Sequence, residues 1–333
     1  MLRRAIKGLF WTAAASGLLF TLTFALTAGN YGVAPTAEHD PSVPTVTLEG
    51  VTFHAQTFGD PTNQTVIVVH GGPGGDHRYL LDLKALTDEY HVVFYDQRGT
   101  GLSPRVDPKT ITVEASIDDL DNIIRHYSPD KPVYLIGHSW GAMLATGYLA
   151  RHGERVTKAV IAEPAGYTHE DLTAFFEATR PAVSLRAAYK ASRAFFESLH
   201  VRGPDAQARW DYFGVNAGTS ESYTGYYCGG QRSGYSFPYW RWGILAAQNL
   251  ANSGRDDSGR FRDGLLTDGL EDYPHKVLLV ASECNQITGR TLQERNLRFF
   301  PDAELAVIAD TGHEMLTQDP EASLKVIRHY FAE

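Results

Sequence analysis

Residues 133–149 read VYLIGHSWGAMLATGYL and join a short apolar run to a run of helix-forming residues. The first four residues have the character of a buried strand, and the residues after Trp140 have that of a helix. Between the two runs lies a G-x-S-x-G sequence over 137–141. At a turn from strand to helix, its two glycines allow a bend sharp enough to hold a seryl oxygen above a sheet. The stretch therefore predicts that Ser139 is a catalytic nucleophile.

Apolar runs like the one before Ser139 recur along the chain and alternate with helical patterns. The runs are TVIVVHG (65–71), HVVFYDQRG (91–99), KAVIAEP (158–164), KVLLVAS (276–282) and ELAVIAD (304–310). Helical patterns cover 113–127, 140–152, 291–299 and 321–332. In front of them, TVTLEG (45–50) and VTFHAQTFG (51–59) predict a hairpin. Strands that alternate with helices indicate an α/β protein with a doubly wound sheet.

One long interval, between Pro164 and His275, interrupts this alternation. It has no comparable apolar run and is rich in Phe, Tyr and Trp. An interval of this length inside a compact sheet is more typical of a subdomain than of a loop. We therefore predict an α/β core in two parts, 45–164 and 275–333, with a mainly helical insertion over 165–274 between two strands.

The N-terminal region has the pattern of a targeting or anchoring segment. Arg3, Arg4 and Lys7 precede a run from Gly8 to Ala28 that has no charged residue. This pattern is typical of a signal peptide or of a membrane anchor, with an amphipathic or buried first helix as the alternative. We assign 1–30 to that segment and 31–44 to a linker. Basic residues on the N-terminal side predict an exported or membrane-anchored body.

The overall composition excludes several classes of partner and site. The 30 basic and 39 acidic residues give a net charge of -9, which disfavours nucleic acid as a partner. The two cysteines, Cys228 and Cys284, cannot build a disulfide scaffold or a four-thiolate zinc site. At most they form one bridge, in an oxidising compartment. No metal-ligand spacing is visible, so we predict no metal and no organic cofactor.

Two further motifs have the positions that a serine nucleophile requires. The glycine-rich His70-Gly71-Gly72-Pro73-Gly74-Gly75 follows a predicted strand. Such a loop carries a backbone N–H to the side of the nucleophile, so we assign the oxyanion hole to the N–H groups of Gly72 and Trp140. His313 follows the last predicted strand, and the order of serine first and histidine last is that of this type of catalytic triad. His313 is therefore the predicted general base.

HGGPGG (70–75), YDQRGTGLSP (95–104) and GHSWGAMLA (137–145) together resemble α/β-hydrolases of the proline iminopeptidase type. The resemblance extends over essentially residues 45–333. It implies an α/β-hydrolase fold, acyl chemistry on a serine, and a role for the insertion 165–274 as a lid over the active site. We interpret the Asp96-Gln97-Arg98-Gly99 segment as a structural turn with buried hydrogen bonds.

The chain departs from this family at the acid that orients the histidine. Family members usually carry an aspartate after the strand that aligns with VLLVAS (277–282), where this chain has Asn285. Asparagine can orient an imidazole but cannot offset its positive charge. We assign the acid to Glu163, which directly follows a predicted strand, and keep Glu283 and Asp310 as alternatives because strand-end geometry decides which carboxylate reaches His313.

A second departure concerns the substrate. Iminopeptidases of this type tend to carry a W-x-x-W-E element whose glutamate helps to hold the substrate amine, whereas this chain has Trp240-Arg241-Trp242-Gly243 without the acid. The leading hypothesis is a serine hydrolase of an amide or ester that forms an acyl-enzyme on Ser139, with a small molecule or a peptide as substrate. The resemblance implies an aminopeptidase of the proline iminopeptidase type as one form of this hypothesis. The alternatives are an esterase or lyase of the same fold, and a non-catalytic binding protein. The membrane is a further partner if the N-terminal segment is retained.

Overall fold

The computed structural model describes residues 2–180, 183–218, 224–230 and 239–333. The chain divides into two compact units. The larger consists of Ala34–Arg180 and Ser220–Glu333, and the smaller of Met1–Val33 and Pro181–Thr219.

A mixed sheet forms the centre of the larger unit. Its described strands are β1 Thr45–Leu48, β2 Val51–Phe58, β3 Gln64–Val69, β4 Tyr90–Tyr95, β5 Val133–His138, β6 Val156–Ala162, β7 Val277–Ser282 and β8 Ala303–Ile308. Their spatial order is β1-β2-β4-β3-β5-β6-β7-β8. β2 pairs antiparallel with β1 and with β4, and the remaining neighbours are parallel. The predicted hairpin and the alternation of strands with helices are thus present.

Helices cover both faces of this sheet, which explains why its central strands are continuous apolar runs. All four residues from Val66 to Val69 are fully buried. The described core helices are α2 Val113–Tyr127, α3 Trp140–His152, α8 Arg290–Asn296, α9 Met315–Gln318 and α10 Pro320–Ala332. Side-chain caps fix two of their starts, because Thr112 accepts a hydrogen bond from Ala115 N–H and Asp319 accepts one from Ala322 N–H.

The insertion between β6 and β7 is helical in its described part. It contains α4 His169–Ala178, α5 Leu185–Ser198, α6 Ala208–Ala217 and α7 Ile244–Ser253. Its described residues form no strand, only an isolated bridge between Arg255 and Phe261. The helices α4 and α7 belong to the larger unit, whereas α5 and α6 belong to the smaller one.

The smaller unit joins the N-terminal helix α1, Leu2–Leu26, to α5 and the residues after it. Aromatic contacts connect them, with Phe20 5.1 Å from Phe196 and Phe24 4.1 Å from His200 between ring centroids. Among the described residues, no helix is long and apolar enough to cross a membrane. The side chains of Arg3, Arg4 and Lys7, on which the predicted targeting segment partly rests, lie outside the described residues.

The carboxyl ends of the parallel strands bring the predicted reactive residues to one edge of the sheet. Ser139 directly follows β5, and Glu163 directly follows the neighbouring β6. His313 lies in the loop after β8. Open α/β sheets bind their ligands at this edge.

Candidate active site

Ser139 occupies a strained turn between β5 and α3. Its backbone has φ 57° and ψ −120°, a combination that few non-glycine residues adopt. The turn is held by hydrogen bonds from Ser139 N–H to the Ala162 carbonyl and from Ala142 N–H to the Ser139 carbonyl. The second glycine of the motif is a packing requirement, since a Cβ on Gly141 would lie 2.1 Å from the Val69 carbonyl oxygen. This is the geometry of a nucleophile elbow.

The glycine-rich loop lies directly beside this elbow. A Cβ on Gly71 would be 2.8 Å from Cβ of Ser139, so the loop and the serine are in close contact. Gly71 N–H donates to the Tyr79 hydroxyl over 2.8 Å. Trp140 begins α3, so its N–H is one of the groups that a helix leaves free at its start. Gly72, Ser139 and Trp140 all line the same pocket.

His313 is buried and its imidazole has defined contacts on several sides. Nδ1 lies 2.8 Å from Oε2 of Glu163 and 3.2 Å from Oγ1 of Thr288. The Tyr226 ring stacks on the imidazole with 4.3 Å between centroids and 10° between planes. His313 N–H donates to the Tyr226 carbonyl over 3.0 Å. These contacts fix the plane of the ring as well as the partner of Nδ1.

Glu163 has hydrogen-bond donors at both of its carboxylate oxygens. It is fully buried, and its backbone has a positive φ of 45°. Oε1 accepts from Ser282 N–H at 2.6 Å and from the Ser282 hydroxyl at 2.5 Å. Oε2 accepts from the Asn285 side-chain amide at 2.6 Å. These donors hold the buried carboxylate in the orientation in which Oε2 faces Nδ1 of His313.

The other two predicted acids lie in a different place. Glu283 and Asp310 are exposed, and Oε2 of Glu283 accepts a hydrogen bond from Asp310 N–H. In the described part of the chain, neither carboxylate makes a hydrogen bond to His313. Asn285, at the position of the family's aspartate, donates to Glu163. An aspartate there would place a second carboxylate against the first, so the asparagine is complementary to an acid at the end of β6.

A buried histidine links the elbow to the loop that carries His313. His138 Nε2 lies 2.8 Å from the His313 carbonyl oxygen, and its Nδ1 lies 2.7 Å from the Tyr79 hydroxyl. Burial and, to a smaller extent, the neighbouring His313 lower the pKa of His138 to about 3. A neutral His138 donates to the carbonyl through Nε2 and accepts from Tyr79 through Nδ1. Sequence reasoning missed this link, because the residue between the first glycine and the serine of the motif has no required identity.

Asp96 is the centre of a buried cluster beside the site. Its carboxylate lies 2.7 Å from Nδ1 of His54 and 2.7 Å from Nδ1 of His77, and it accepts from Leu102 N–H. Burial opposes charge on Asp96, but His77 and His54 outweigh this effect and hold its pKa well below the usual value. Among the residues that the structure describes, these three side chains also have possible metal-ligand atoms within 4.8 Å of one another. Both imidazoles face the carboxylate, which fits a hydrogen-bonded structural cluster.

An apolar pocket opens at the serine. It has an empty volume of about 720 Å³, including its open mouth. Its wall comes from the elbow, the glycine-rich loop and the insertion, with Leu172, Phe175 and Phe176 from α4 and Leu250 from α7. Arg262 also lines it, whereas no Asp or Glu is among its described lining residues.

The segment that replaces the family's W-x-x-W-E element packs on the glycine-rich loop. Trp240 and Arg241 donate their backbone N–H groups to Asp76, and Gly243 N–H donates to the Gly74 carbonyl. The Trp240 ring lies against His54. Residues 240–243 thus pack against the glycine-rich loop and include no carboxylate that could hold a substrate amine.

Comparisons with known proteins agree with this architecture. The family model described as alpha/beta hydrolase fold matches residues 64–320, more than half of the chain. A proline iminopeptidase of Saccharolobus solfataricus is 35% identical over 95 residues, which cover 27% of this chain and 30% of that protein. A cis-3-alkyl-4-alkyloxetan-2-one decarboxylase of Shewanella oneidensis is 23% identical over 81% of this chain and 82% of that protein. The chain spans about a quarter to a third of the length of several other curated relatives.

Among solved structures, the proline iminopeptidase of Mycobacterium smegmatis is similar in fold. It superposes with a TM-score of 0.57 at 19% identity, over 87% of this chain and 97% of that one. The strand order, the elbow and the family match lead to one conclusion: the chain belongs to the α/β-hydrolase fold family and is similar to its proline iminopeptidases.

Proposed function

We propose that the protein is a serine hydrolase of carboxylic esters or amides that forms an acyl-enzyme on Ser139. The observation that carries the proposal is the 2.8 Å contact between Nδ1 of His313 and the buried carboxylate of Glu163. This contact holds the imidazole in the tautomer whose Nε2 accepts a proton. An acid partner for the histidine also weighs against the non-catalytic alternative.

In the proposed reaction, His313 removes the proton of the Ser139 hydroxyl as its oxygen attacks the substrate carbonyl carbon. The N–H groups of Gly72 and Trp140 stabilise the oxyanion that forms. His313 then donates the proton to the leaving alcohol or amine. A water molecule, activated by the same imidazole, releases the acid and restores the serine. Glu163 keeps its contact with Nδ1 of His313 and stabilises the imidazolium in both halves of the reaction.

The apolar pocket supports an ester or amide with a hydrophobic group as substrate. An aminopeptidase has to neutralise the N-terminal ammonium of its substrate, and the described pocket lining contains no acid. We therefore rank hydrophobic esters above peptides. We also propose that the insertion 165–274 is a lid, because residues of α4 and α7 form part of the pocket wall.

Steady-state kinetics with p-nitrophenyl esters of increasing chain length and with prolyl p-nitroanilide test this proposal. We expect kcat/KM to be highest for an ester of a medium-length acid. Ser139→Ala should lower kcat by about 10⁴-fold or more, while Ser258→Ala, a change at an exposed serine, should leave it unaltered. Ester turnover that persists in Ser139→Ala would refute the proposal.

A strained-lactone lyase is the second candidate. The Shewanella relative, a cis-3-alkyl-4-alkyloxetan-2-one decarboxylase, aligns over most of this chain. A dialkyl lactone would also suit an apolar pocket. Product analysis separates the two functions, because a hydrolase yields a hydroxy acid, whereas a decarboxylase yields CO₂ and an alkene.

We extend the proposal to location and infer that the protein acts outside the cytoplasm, exported or held by its N-terminal segment. The basic residues before an apolar run support this location. The disulfide between Cys228 and Cys284 also supports it, because disulfides persist in oxidising compartments. Cell fractionation with thiol trapping tests it: a protein found in the cytoplasm with free thiols would contradict it.

A further inference from the structure

A short part of the insertion, residues 224–230, lies against the loop that carries His313. The Tyr226 ring stacks on the imidazole, and the Tyr226 carbonyl accepts the His313 N–H. The two segments are in close contact here, because a Cβ on Gly312 would lie 2.1 Å from that carbonyl oxygen. The Tyr226 side chain is only 6% exposed, so the stack is shielded from water.

The same segment is joined to the loop after β7. The Gly225 carbonyl accepts a hydrogen bond from Gln286 N–H, and a disulfide links Cys228 to Cys284. That loop supplies Asn285, a donor to Glu163. Cys284 N–H also donates to the Thr311 carbonyl, next to the histidine loop. One covalent bond therefore connects the stacking residue to the surroundings of both the acid and the base.

We propose that Tyr226 is a positioning residue for His313 and that the Cys228–Cys284 disulfide holds it there, so that full activity requires the oxidised chain. This inference rests on the proposed function. Glu163 fixes one atom of the imidazole, and the stacked ring fixes its plane. When the imidazole takes the proton from Ser139, the face of the tyrosine ring also stabilises the positive charge.

Reduction should loosen this arrangement. Cys228 is exposed, so a dithiol can reach it. Two electrons and two protons pass from the dithiol to the two sulfurs, which become thiols, while the reagent closes to a cyclic disulfide. The segment then loses its covalent link to the loop after β7, and the stack on His313 becomes less populated.

Kinetics of matched variants in the full chain test the proposal. Tyr226→Leu should lower kcat by about 10- to 100-fold, because a small misplacement of a catalytic group has effects of that size, and KM should change less than about twofold. Tyr226→Phe keeps the stack and should rescue kcat. Tyr227→Leu is the control, since Tyr227 is equally buried in the same segment but bonds to Glu314. An equal loss of kcat in both leucine variants would show a merely structural role and overturn the proposal.

Reduced wild type should resemble the C228S/C284S variant, and dithiothreitol should have no further effect on that variant. Equal kcat for oxidised and reduced wild type, both folded by near-ultraviolet circular dichroism, would overturn the redox part.

NMR of the His313 ring protons gives a readout separate from turnover, because the ring-current shift from Tyr226 should disappear in Tyr226→Leu and diminish on reduction. Wild type without any ester turnover would refute the proposed function, and an unchanged ring-proton shift would refute this inference independently.

Discussion

The contact between Glu163 and His313 predicts a large kinetic penalty for Glu163→Gln. The carboxylate is fully buried, accepts from Ser282 and Asn285, and lies 2.8 Å from Nδ1 of the imidazole. Glutamine has the same shape, but an NH₂ group replaces one acceptor oxygen. The imidazole then loses the partner that fixes its tautomer and offsets its charge. A change of this kind in a serine triad lowers kcat by about 10⁴, or about 5 kcal/mol in the barrier.

Turnover of a p-nitrophenyl ester at saturation measures this effect. KM should stay within about threefold, because the acid does not contact the ground-state substrate. Glu283→Gln is the matched control: it makes the same chemical change at an exposed position, and its kcat should remain within about twofold. A Glu163→Gln enzyme that keeps more than a tenth of kcat, or an equal loss in Glu283→Gln, would refute the reasoning.

Stability measurements examine a second contact of the same carboxylate, the one between Glu163 and Asn285. Asn285→Asp would place a second carboxylate at the 2.6 Å contact with Glu163, and we expect a loss of about 3 kcal/mol in the free energy of unfolding. The double change Glu163→Gln with Asn285→Asp exchanges donor and acceptor and restores the pair. A double-mutant cycle by urea unfolding should therefore give a favourable coupling of about 2 kcal/mol. Strictly additive losses would contradict the assigned contact.

Two further predictions concern the elbow and the buried histidines. Gly141→Ala forces a Cβ against the Val69 carbonyl and should lower the free energy of unfolding by about 3 kcal/mol or more. Gly32→Ala is the control, because a Cβ there meets no atom within 4 Å and should change the free energy of unfolding little. Equal urea midpoints for the two variants would contradict the close packing at Gly141. Burial lowers the pKa of His138 to about 3 and that of His70 to about 4, from 6.5. Below pH 6.5 the unfolded chain therefore binds more protons than the folded chain. The contribution of the two neutral histidines to the free energy of unfolding is complete above that pH and is lost on acidification towards pH 4. The loss is about 1.4 kcal/mol per pH unit for each histidine. Urea unfolding at pH 7 and pH 5 measures this slope, and His138→Gln should flatten it; an unchanged slope would count against a neutral His138.

Much of the sheet could be predicted from the sequence because a buried parallel strand is a continuous apolar run. The run before Ser139 and the run before Glu163 are both of this kind, and they are β5 and β6 in the structure. The strand order is then limited by the connections that α/β sheets permit. The family resemblance rests on the turns at the ends of these strands, and the family match confirms it.

The choice of the acid and the contact of Tyr226 with His313 depend on distances between residues that are far apart in the sequence. A local sequence pattern does not contain such distances. Glu163, Glu283 and Asp310 all follow a strand, and only the register of neighbouring strands and the turn at Glu163 decide which one faces His313. Tyr226 is one aromatic residue among many in the insertion, and its contact with His313 spans a long stretch of chain. The cysteines are separated by 56 residues, so the sequence left their pairing open.

The central claim is that Ser139 becomes acylated, and intact-protein mass spectrometry with peptide mapping tests it most directly. The protein is treated with a fluorophosphonate probe and, separately, quenched during turnover of a slow ester. We predict one adduct per chain on the peptide that contains Ser139, absent from Ser139→Ala and much slower to form in Glu163→Gln. An adduct on another residue, or ester turnover without any adduct on Ser139, would contradict the claim.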